Sequence, residues 1–449
     1  MAAPARVAIV GSGPAGFYAA EALLRALEDC HVDMFERLAA PHGLVRYGVA
    51  PDHQKLKQVS LVFDRIADDP RFEFHGLVEV GRDVSVAELL GRYHAVIVST
   101  GQSEDRRLGV SGESLGQVFG SALFVGWYNG HPNHSGLRPD LAVSSAAIVG
   151  NGNVALDVCR MLVRDMADLR ASDIPEPMQP AFAARGIRTV HVIGRSGVTA
   201  TKFSFKEFRE LVELPGVRVA VPQAAQWPAA AWVPPKDEDA ARVAGWLRQH
   251  APANDRSGCV DINFWFHAAP SAFIGSGRVQ QVAIRASPGS ADRFVDAPAR
   301  LECGLAVTCV GYRHRPLPGI PADDASGAIR HTQGQVVDAG GREVPGLFVT
   351  GWAKRGPNGV IGTNRADSYE TAATVLARLP ALQTRPDARS LPPLSALLAG
   401  RGVAPLSYAQ WRLLDGHERR RGAALGKPRE KLLGARAALA ALNIDEHAH

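Results

Sequence analysis

The 449 residues include only five cysteines, Cys30, Cys159, Cys259, Cys303 and Cys309, and no two of them form a C-x-x-C pair. That spacing excludes a disulfide framework, a thiolate zinc site, a cysteine-ligated iron–sulfur cluster and a dithiol redox centre. No metal site is expected. Long apolar runs are missing too, for none approaches the roughly 20 residues that span a bilayer. The first apolar segment begins at Val7, which leaves no room for a leader peptide. The expectation is a cytoplasmic protein without a membrane partner. Basic residues outnumber acidic ones by 50 to 45, yet no Lys/Arg run interleaves with aromatics, which argues against a nucleic-acid partner. The diffuse net charge of +5 suits steering of an acidic protein or a phosphorylated cofactor. What remains is ordinary globular composition, 46% hydrophobic and 21% charged, in a chain long enough to need two cores.

One stretch stands out against that background. Val7 to Val10 reads as a buried parallel strand, Gly11-Ser12-Gly13-Pro14-Ala15-Gly16 follows, and a helix-forming run continues to Leu27. A second apolar segment, His31 to Phe35, ends on Glu36. Strand, glycine turn, helix, strand and acid, in that order, are the parts of a dinucleotide site. Gly11 permits the tight turn, Gly13 lets backbone amides approach a pyrophosphate, and Gly16 lets the helix pack closely on the strand. The helix N-terminus offers unpaired N–H groups to the phosphates, and Glu36 can accept hydrogen bonds from a ribose diol. A third strand, His94 to Thr100, ends at Gly101, where backbone again approaches the cofactor.

The same device recurs. Ala146 to Val149 is a strand, Gly150-Asn151-Gly152-Asn153-Val154-Ala155 is a second glycine turn, and a helix is expected to run to Asp168. Two turns imply two nucleotides, one per domain. On that helix, positions 154, 158, 161 and 162 form an apolar stripe with Asp157 at its edge. The next strand, Arg188 to Gly194, ends in Arg195-Ser196-Gly197. A guanidinium there suits a 2′-phosphate and favours NADP(H) over NAD(H), the plain alternative being that Arg195 faces solvent. Elsewhere an amphipathic helix is expected over 55–66, a peripheral Pro/Ala-rich insertion over 221–256, and a small antiparallel sheet from 261–267 and 278–285. A buried strand over 346–351 leads to Gly351 and Trp352, and residues 352–367 open a helix in which Trp352 is a candidate lid over a flavin ring. The expected fold is α/β, two Rossmann-like doubly wound dinucleotide-binding domains with the second inserted into the first: 1–105, 106–318 and 319–449.

Together these segments carry a family likeness. VAIVGSGPAGFYAAEALL, GLVRYGVAPDH, GNGNVALDVCRML, FSFKEFREL, GWAKRGPNGVIGTN and the closing SYAQWRLLDGHERRRGAALGKPREK resemble the adrenodoxin-reductase-like ferredoxin–NADP reductases. The resemblance implies FAD in the outer domain and NADP(H) in the inserted one. It also implies hydride transfer from NADPH to FAD, then single electrons passed to a small acidic ferredoxin-type iron–sulfur protein. By the same resemblance Ala15, Glu36, Leu44, Val80, Trp352, Gly359, Val360 and Ile361 contact FAD. Gly150, Asn151, Gly152, Asn153, Val154, Arg195, Ser196 and Glu207 line the NADP(H) pocket, with Gly359 near the nicotinamide. The family's matching aspartate and loop histidine lie near the flavin. That gives Asp157 and His53 a catalytic reading as proton relay or electrostatic pair, beside the alternative of structural hydrogen bonds.

One departure matters. The family's Arg-Arg-Gly reads Arg195-Ser196-Gly197 here, so one guanidinium is lost and weaker preference for NADP(H) is expected. Lys202 could supply a second cation. Lys206, Arg209, Arg160 and Arg164 are candidate docking cations for an acidic partner. Two other functions stay open on the sequence: an NAD(P)H-oxidising flavoprotein subunit of a larger electron-transfer complex, and a non-catalytic FAD-binding structural protein.

Overall fold

The computed structural model describes residues 4–222, 237–250, 260–287, 299–315, 317–323, 328–359, 361–384 and 391–444. The chain divides into two compact units. One comprises Met1–Glu104, Asn129–Ser135 and Tyr312–His449, the other Asp105–Tyr128 and Gly136–Gly311. Residues 129–135, assigned on sequence to the inserted domain, belong with the first unit, and the return crossing lies at Gly311 rather than near 318. Among the described residues no helix is long and apolar enough to cross a membrane.

The first unit begins with strand β1 (Ala5–Val10), helix α1 (Pro14–Ala26), β2 (Cys30–Glu36), β3 (Phe72–Gly76) and β4 (Ala95–Val98). β1 pairs in parallel with β2 and β4, and β2 with β3. An interior parallel strand is covered on both faces, which is why β1 is continuously apolar from Val7 to Val10. Its side chains still alternate: Val7 and Ile9 enter one core with Phe17, Leu23, Met34 and Ile97, while Ala8 and Val10 enter the other with Phe35, Val96 and Val98. Pro14 stands at the first helical position of α1, where its missing N–H costs nothing.

The second unit holds β5 (Val118–Gly120), β6 (Ser145–Val149), α2 (Asn153–Val163), β7 (Thr189–Ile193), α3 (Phe205–Val212) and β8 (Val217–Ala220). Helix α4 (Glu238–His250) and β9 (Val260–Trp265) follow, then β10 (Ala268–Ile274), β11 (Gln281–Ala286), β12 (Ala299–Glu302) and β13 (Leu305–Thr308). A six-stranded sheet runs β5-β13-β6-β7-β9-β8, every pairing parallel. β10, β11 and β12 form a separate antiparallel sheet.

The chain then returns to the first unit through β14 (His331–Thr332), β15 (Gln335–Val337), β16 (Glu343–Val349), α5 (Thr363–Leu382) and α6 (Tyr408–Ala424). The completed sheet runs β14-β15-β16-β4-β1-β2-β3. β14-β15 and β15-β16 pair antiparallel and the remaining strands parallel, so each unit is a Rossmann-like layer of mainly parallel strands with helices, the second inserted into the first.

Several sequence expectations need correction. Residues 261–267 were expected in an antiparallel sheet, but β9 pairs in parallel with β7 and β8, and the antiparallel sheet starts only at Ala268. The stretch 221–256 is not wholly peripheral. Within it α4 connects β8 to β9 and buries Ala240, Val243, Ala244 and Leu247, an i, i+3, i+4, i+7 stripe that Pro and Ala content disguised. Residues 223–236 and 251–256 of that stretch lie outside the described ones. The helix expected over 55–66 is two short ones, Gln54–Lys57 and Ser60–Ala67. Only Phe63 and Ile66 are buried, while Leu56 and Leu61 are exposed, so one continuous apolar face never forms. The helix after Asn153 stops at Val163 because Arg164 turns extended (ψ 145°), and a separate short helix, Met166–Arg170, follows. Residues 352–367 likewise hold a one-turn helix, Trp352–Arg355, before α5 begins.

Candidate functional site

In the first unit the site is built at the C-terminal end of β1. Gly11 has φ +104°, and a Cβ there would lie 2.7 Å from Ser99 O. A Cβ on Gly16 would lie 2.3 Å from Gly11 O. Both glycines are therefore demanded by packing. Gly13 differs: it is the N-cap of α1, makes no side-chain cap, and a Cβ on it would meet nothing within 4 Å. A helix N-terminus left uncapped and facing open space is a place for an anion. Glu36 is fixed beside it, accepting from Ser12 Oγ at 2.6 Å and from Leu38 N at 3.0 Å. Gly351 (φ +69°) comes close to Ala15, where a Cβ would be 2.5 Å from the alanine's own. Its amide donates to Asp367 Oδ2 at 2.5 Å, and Ser368 Oγ donates to Ala15 O at 2.9 Å.

The second unit repeats the construction. A Cβ on Gly150 (φ +144°) would lie 2.3 Å from Cys309 O, whereas one on Gly152 would meet nothing within 4 Å. Gly152 is the N-cap of α2, again with no side-chain cap. Both side-chain amide atoms of Asn151 are buried and have no hydrogen-bond partner, which is the state of a group awaiting a polar ligand. Lys202 is exposed and pinned to this turn, its amide donating to Asn151 O at 3.0 Å. Exposed Arg195 and half-buried Ser196 follow β7, and Ser196 O accepts from His267 N at 3.2 Å. Asn153 Oδ1 accepts from Ser204 N at 2.9 Å, joining the turn to the start of α3. Val154 is half-buried in the first turn of α2.

One sequence assignment fails here. Arg160, taken as a docking cation, is fully buried; its guanidinium binds Asp157 Oδ1 at 2.7 Å and Glu207 Oε2 at 3.4 Å. Two carboxylates converging on α2 draw the charge inward, since a buried guanidinium is tolerated only when paired. Asp157 and Glu207 are therefore brought together by Arg160. Lys206 and Arg209 stay exposed but carry i, i+4 partners, Glu210 at 3.8 Å and Glu213 at 3.7 Å. Arg164 pairs with Asp168 at 3.2 Å.

Similarity to known proteins decides which family this geometry serves. A model for pyridine nucleotide-disulphide oxidoreductases matches residues 5–169. The chain is 40% identical to the mitochondrial NADPH:adrenodoxin oxidoreductase of Bos taurus, over 95% of this chain and 90% of that protein. It is 39% identical to the NADPH-ferredoxin reductase FprA of Mycobacterium tuberculosis, over 96% and 97%. The solved structure of Mycobacterium tuberculosis FprA in complex with NADPH matches with a TM-score of 0.91 at 37% identity, covering 98% of this chain and 100% of that one. The chain belongs to the adrenodoxin-reductase-like ferredoxin–NADP reductases. Despite the word disulphide in the matching model's description, the four described cysteines are all free.

The other family-matched positions are spread over the first unit. Leu44, at the start of the one-turn helix Leu44–Tyr47, is 44% exposed. The Val80 side chain lies in the core with Val78 and Val84, which leaves only its main chain to face a ligand. Gly101 has φ +67° and open space around it. Trp352 stacks on Tyr312 at 5.9 Å and donates through Nε1 to Asn358 O at 3.2 Å. Gly359 (φ +82°) is closed on one side by Thr363, and Ile361 packs half-buried on the core. Val360 lies outside the described residues. His53 precedes the helix Gln54–Lys57, its amide donating to Ala50 O at 3.0 Å. His53 and Asp157 belong to different units.

Sequence reasoning missed Ser12, Asp367 and Arg355. Arg355 keeps Nε and Nη1 buried without partners, while Nη2 reaches Asn364 Oδ1 at 2.7 Å. Burial lowers its pKa from the ordinary arginine value, so an anion beside it would relieve the cost. A lone arginine inside a glycine-rich turn was the available signal.

Proposed function

We infer that this chain is an FAD-dependent NADPH–ferredoxin reductase, whose electron acceptor is a small acidic ferredoxin-type iron–sulfur protein. The observation that carries the inference is the duplicated anion slot, one glycine-capped helix N-terminus per unit, in a chain that matches such reductases nearly end to end. The residues fit both dinucleotides. Uncapped amides at Ala15 and Gly16 would hold the FAD pyrophosphate, and Glu36 its ribose. Gly11, Gly101 and Gly351 let backbone come close. Leu44, Val80, Trp352, Gly359 and Ile361 would border the rest of the cofactor, and Arg355 would meet its charged part. In the inserted unit Gly150, Asn151, Gly152, Asn153 and Val154 would hold the NADP(H) pyrophosphate, with Arg195, Ser196 and Lys202 at the 2′-phosphate.

The redox chemistry, two electrons taken from the nicotinamide and single electrons delivered to the iron–sulfur partner, is what the bound flavin supplies. The chain's own share is positioning and electrostatics. Arg160 holds the Asp157 and Glu207 carboxylates in place, and we assign His53 an electrostatic role toward the flavin. Because Lys206 and Arg209 are already paired on α3, docking of an acidic partner on that helix would rest on a weak field and fade with salt. Free thiols suit a reducing compartment, and we propose a cytoplasmic location, which cell fractionation tests.

The deciding experiment is anaerobic stopped-flow mixing of the purified FAD-loaded protein with NADPH and, separately, NADH. Loss of the oxidised-flavin absorbance with NADPH is expected. A smaller NADPH preference after Arg195→Ala is the second expectation, because Ser196 leaves that guanidinium without a twin. No bleaching with either nucleotide would return the chain to a structural FAD-binding role.

A further inference from the structure

β3 is one edge of the first unit's sheet. Its register with β2 sets Glu73 opposite Asp33 and His75 opposite Phe35. Residues two apart on a strand share a face, so all four side chains project to the same side. The His75 ring stacks on Phe35 with centroids 4.9 Å apart and planes 15° from parallel. That contact fixes the imidazole with Nε2 3.6 Å from Asp33 Oδ1 and 4.0 Å from Glu73 Oε1. The three atoms all lie within 4.8 Å of one another. His75 is 8% exposed, and its buried Nε2 makes no hydrogen bond. Asp33 is held from behind: Tyr93 Oη donates to Oδ2 at 2.5 Å and Arg6 Nη2 at 3.4 Å, which leaves Oδ1 facing His75.

We propose that Asp33 Oδ1, Glu73 Oε1 and His75 Nε2 form a site for a first-row divalent cation of the zinc class, completed by water. One imidazole with two carboxylate oxygens suits such a cation, whereas calcium and magnesium take all-oxygen shells. Ligand bonds of about 2.0–2.2 Å to a tetrahedral centre put two ligand atoms roughly 3.4 Å apart. The observed separations of 3.6 and 4.0 Å therefore need only a small contraction. Glu73 can supply the larger one, from 4.0 Å, because its side chain is 71% exposed, while the His75–Asp33 pair at 3.6 Å is already within about 0.2 Å of the tetrahedral spacing. A bound cation would clamp the edge strand β3 to β2, the strand that ends in Glu36. The site is oxygen and nitrogen only, so the scattered cysteines do not bear on it.

The test uses the full-length FAD-loaded protein, freed of metal by chelator and then dialysed against zinc chloride. Bound zinc is counted by elemental analysis and the thermal midpoint is recorded. Wild type is expected to bind one zinc ion more than Glu73→Gln, and His75→Phe to bind it at least tenfold more weakly. Zinc should raise the midpoint of wild type and of neither variant. Glu73 is exposed, so Glu73→Gln keeps the fold and decides the matter even if His75→Phe does not fold. Equal zinc binding by wild type and Glu73→Gln overturns the proposal and leaves His75 as an ion-pair partner of Asp33; an equal response to magnesium overturns the assigned class.

Discussion

Replacing Gly13 and Gly16 by alanine, one at a time, separates cofactor binding from folding. The N-cap backbone of Gly13 is extended, φ −77° and ψ 179°, which alanine adopts without strain, and its Cβ would enter open space. Alanine at an N-cap costs about 0.5–1 kcal/mol relative to glycine, and the stiffer unfolded chain returns about 0.4–1 kcal/mol. The apoprotein's stability should therefore stay nearly unchanged. FAD should not tolerate the change. A methyl group in the slot displaces the pyrophosphate from one or two amides, each charge-assisted bond being worth about 1.5–3 kcal/mol. A loss of about 3 kcal/mol is roughly 150-fold in Kd. Gly16→Ala should behave in the opposite way. Its Cβ would stand 2.3 Å from a backbone oxygen and 2.9 Å from Ser99 Oγ, so the apoprotein should lose about 1–3 kcal/mol or more through overpacking. Flavin-fluorescence titration of apoprotein and its urea midpoint read the two effects separately. Wild-type FAD affinity in Gly13→Ala, or an apoprotein as destabilised as Gly16→Ala, would refute the anion-slot reasoning.

Two further predictions follow from burial. Arg160→Met should cost about 3–5 kcal/mol, because it strands the Asp157 and Glu207 carboxylates beside a wholly buried position; adding Asp157→Asn and Glu207→Gln should restore much of the urea midpoint. Burial, assisted by the Arg46 charge at His42 and by His134 and Arg37 at His131, pulls His42 and His131 down to about 3, and burial alone pulls His191 to about 4. The unfolded chain protonates these histidines below about 6.5, the folded one does not until pH 3–4. Their contribution is therefore complete above about pH 7 and is lost as pH falls through 6.5, at about 1.4 kcal/mol per pH unit for each. Unfolding at pH 5 should take up close to three protons from these groups, and a urea midpoint that stays flat between pH 6.5 and 5 would contradict their neutral burial.

Both glycine turns between strand and helix, and the place of Glu36 at the end of β2, were legible in the sequence, because such a turn needs glycine at set spacings and a strand on either side. The Rossmann-like class followed from the same recurrence, since a buried parallel strand must be apolar throughout, as Val7 to Val10 and Ala146 to Val149 are. What eluded the sequence was whatever depends on partners distant along the chain. Arg160 has Asp157 three residues before it on the same helix, a spacing equally common on solvated faces, and it looks like a surface cation until Glu207, 47 residues on, closes over it. Residues 261–267 alternate like an edge strand, yet β9 takes its place between β7 and β8 because α4 carries the chain across the sheet. The open space at Gly13 and the blocked space at Gly16 likewise arise only when Gly11 and Ser99 fold against α1. The sequence alone determined that two dinucleotide turns exist and of what kind; tertiary packing decided which charges are buried and which glycines leave room for a ligand, because burial is set by neighbours that lie tens or hundreds of residues away.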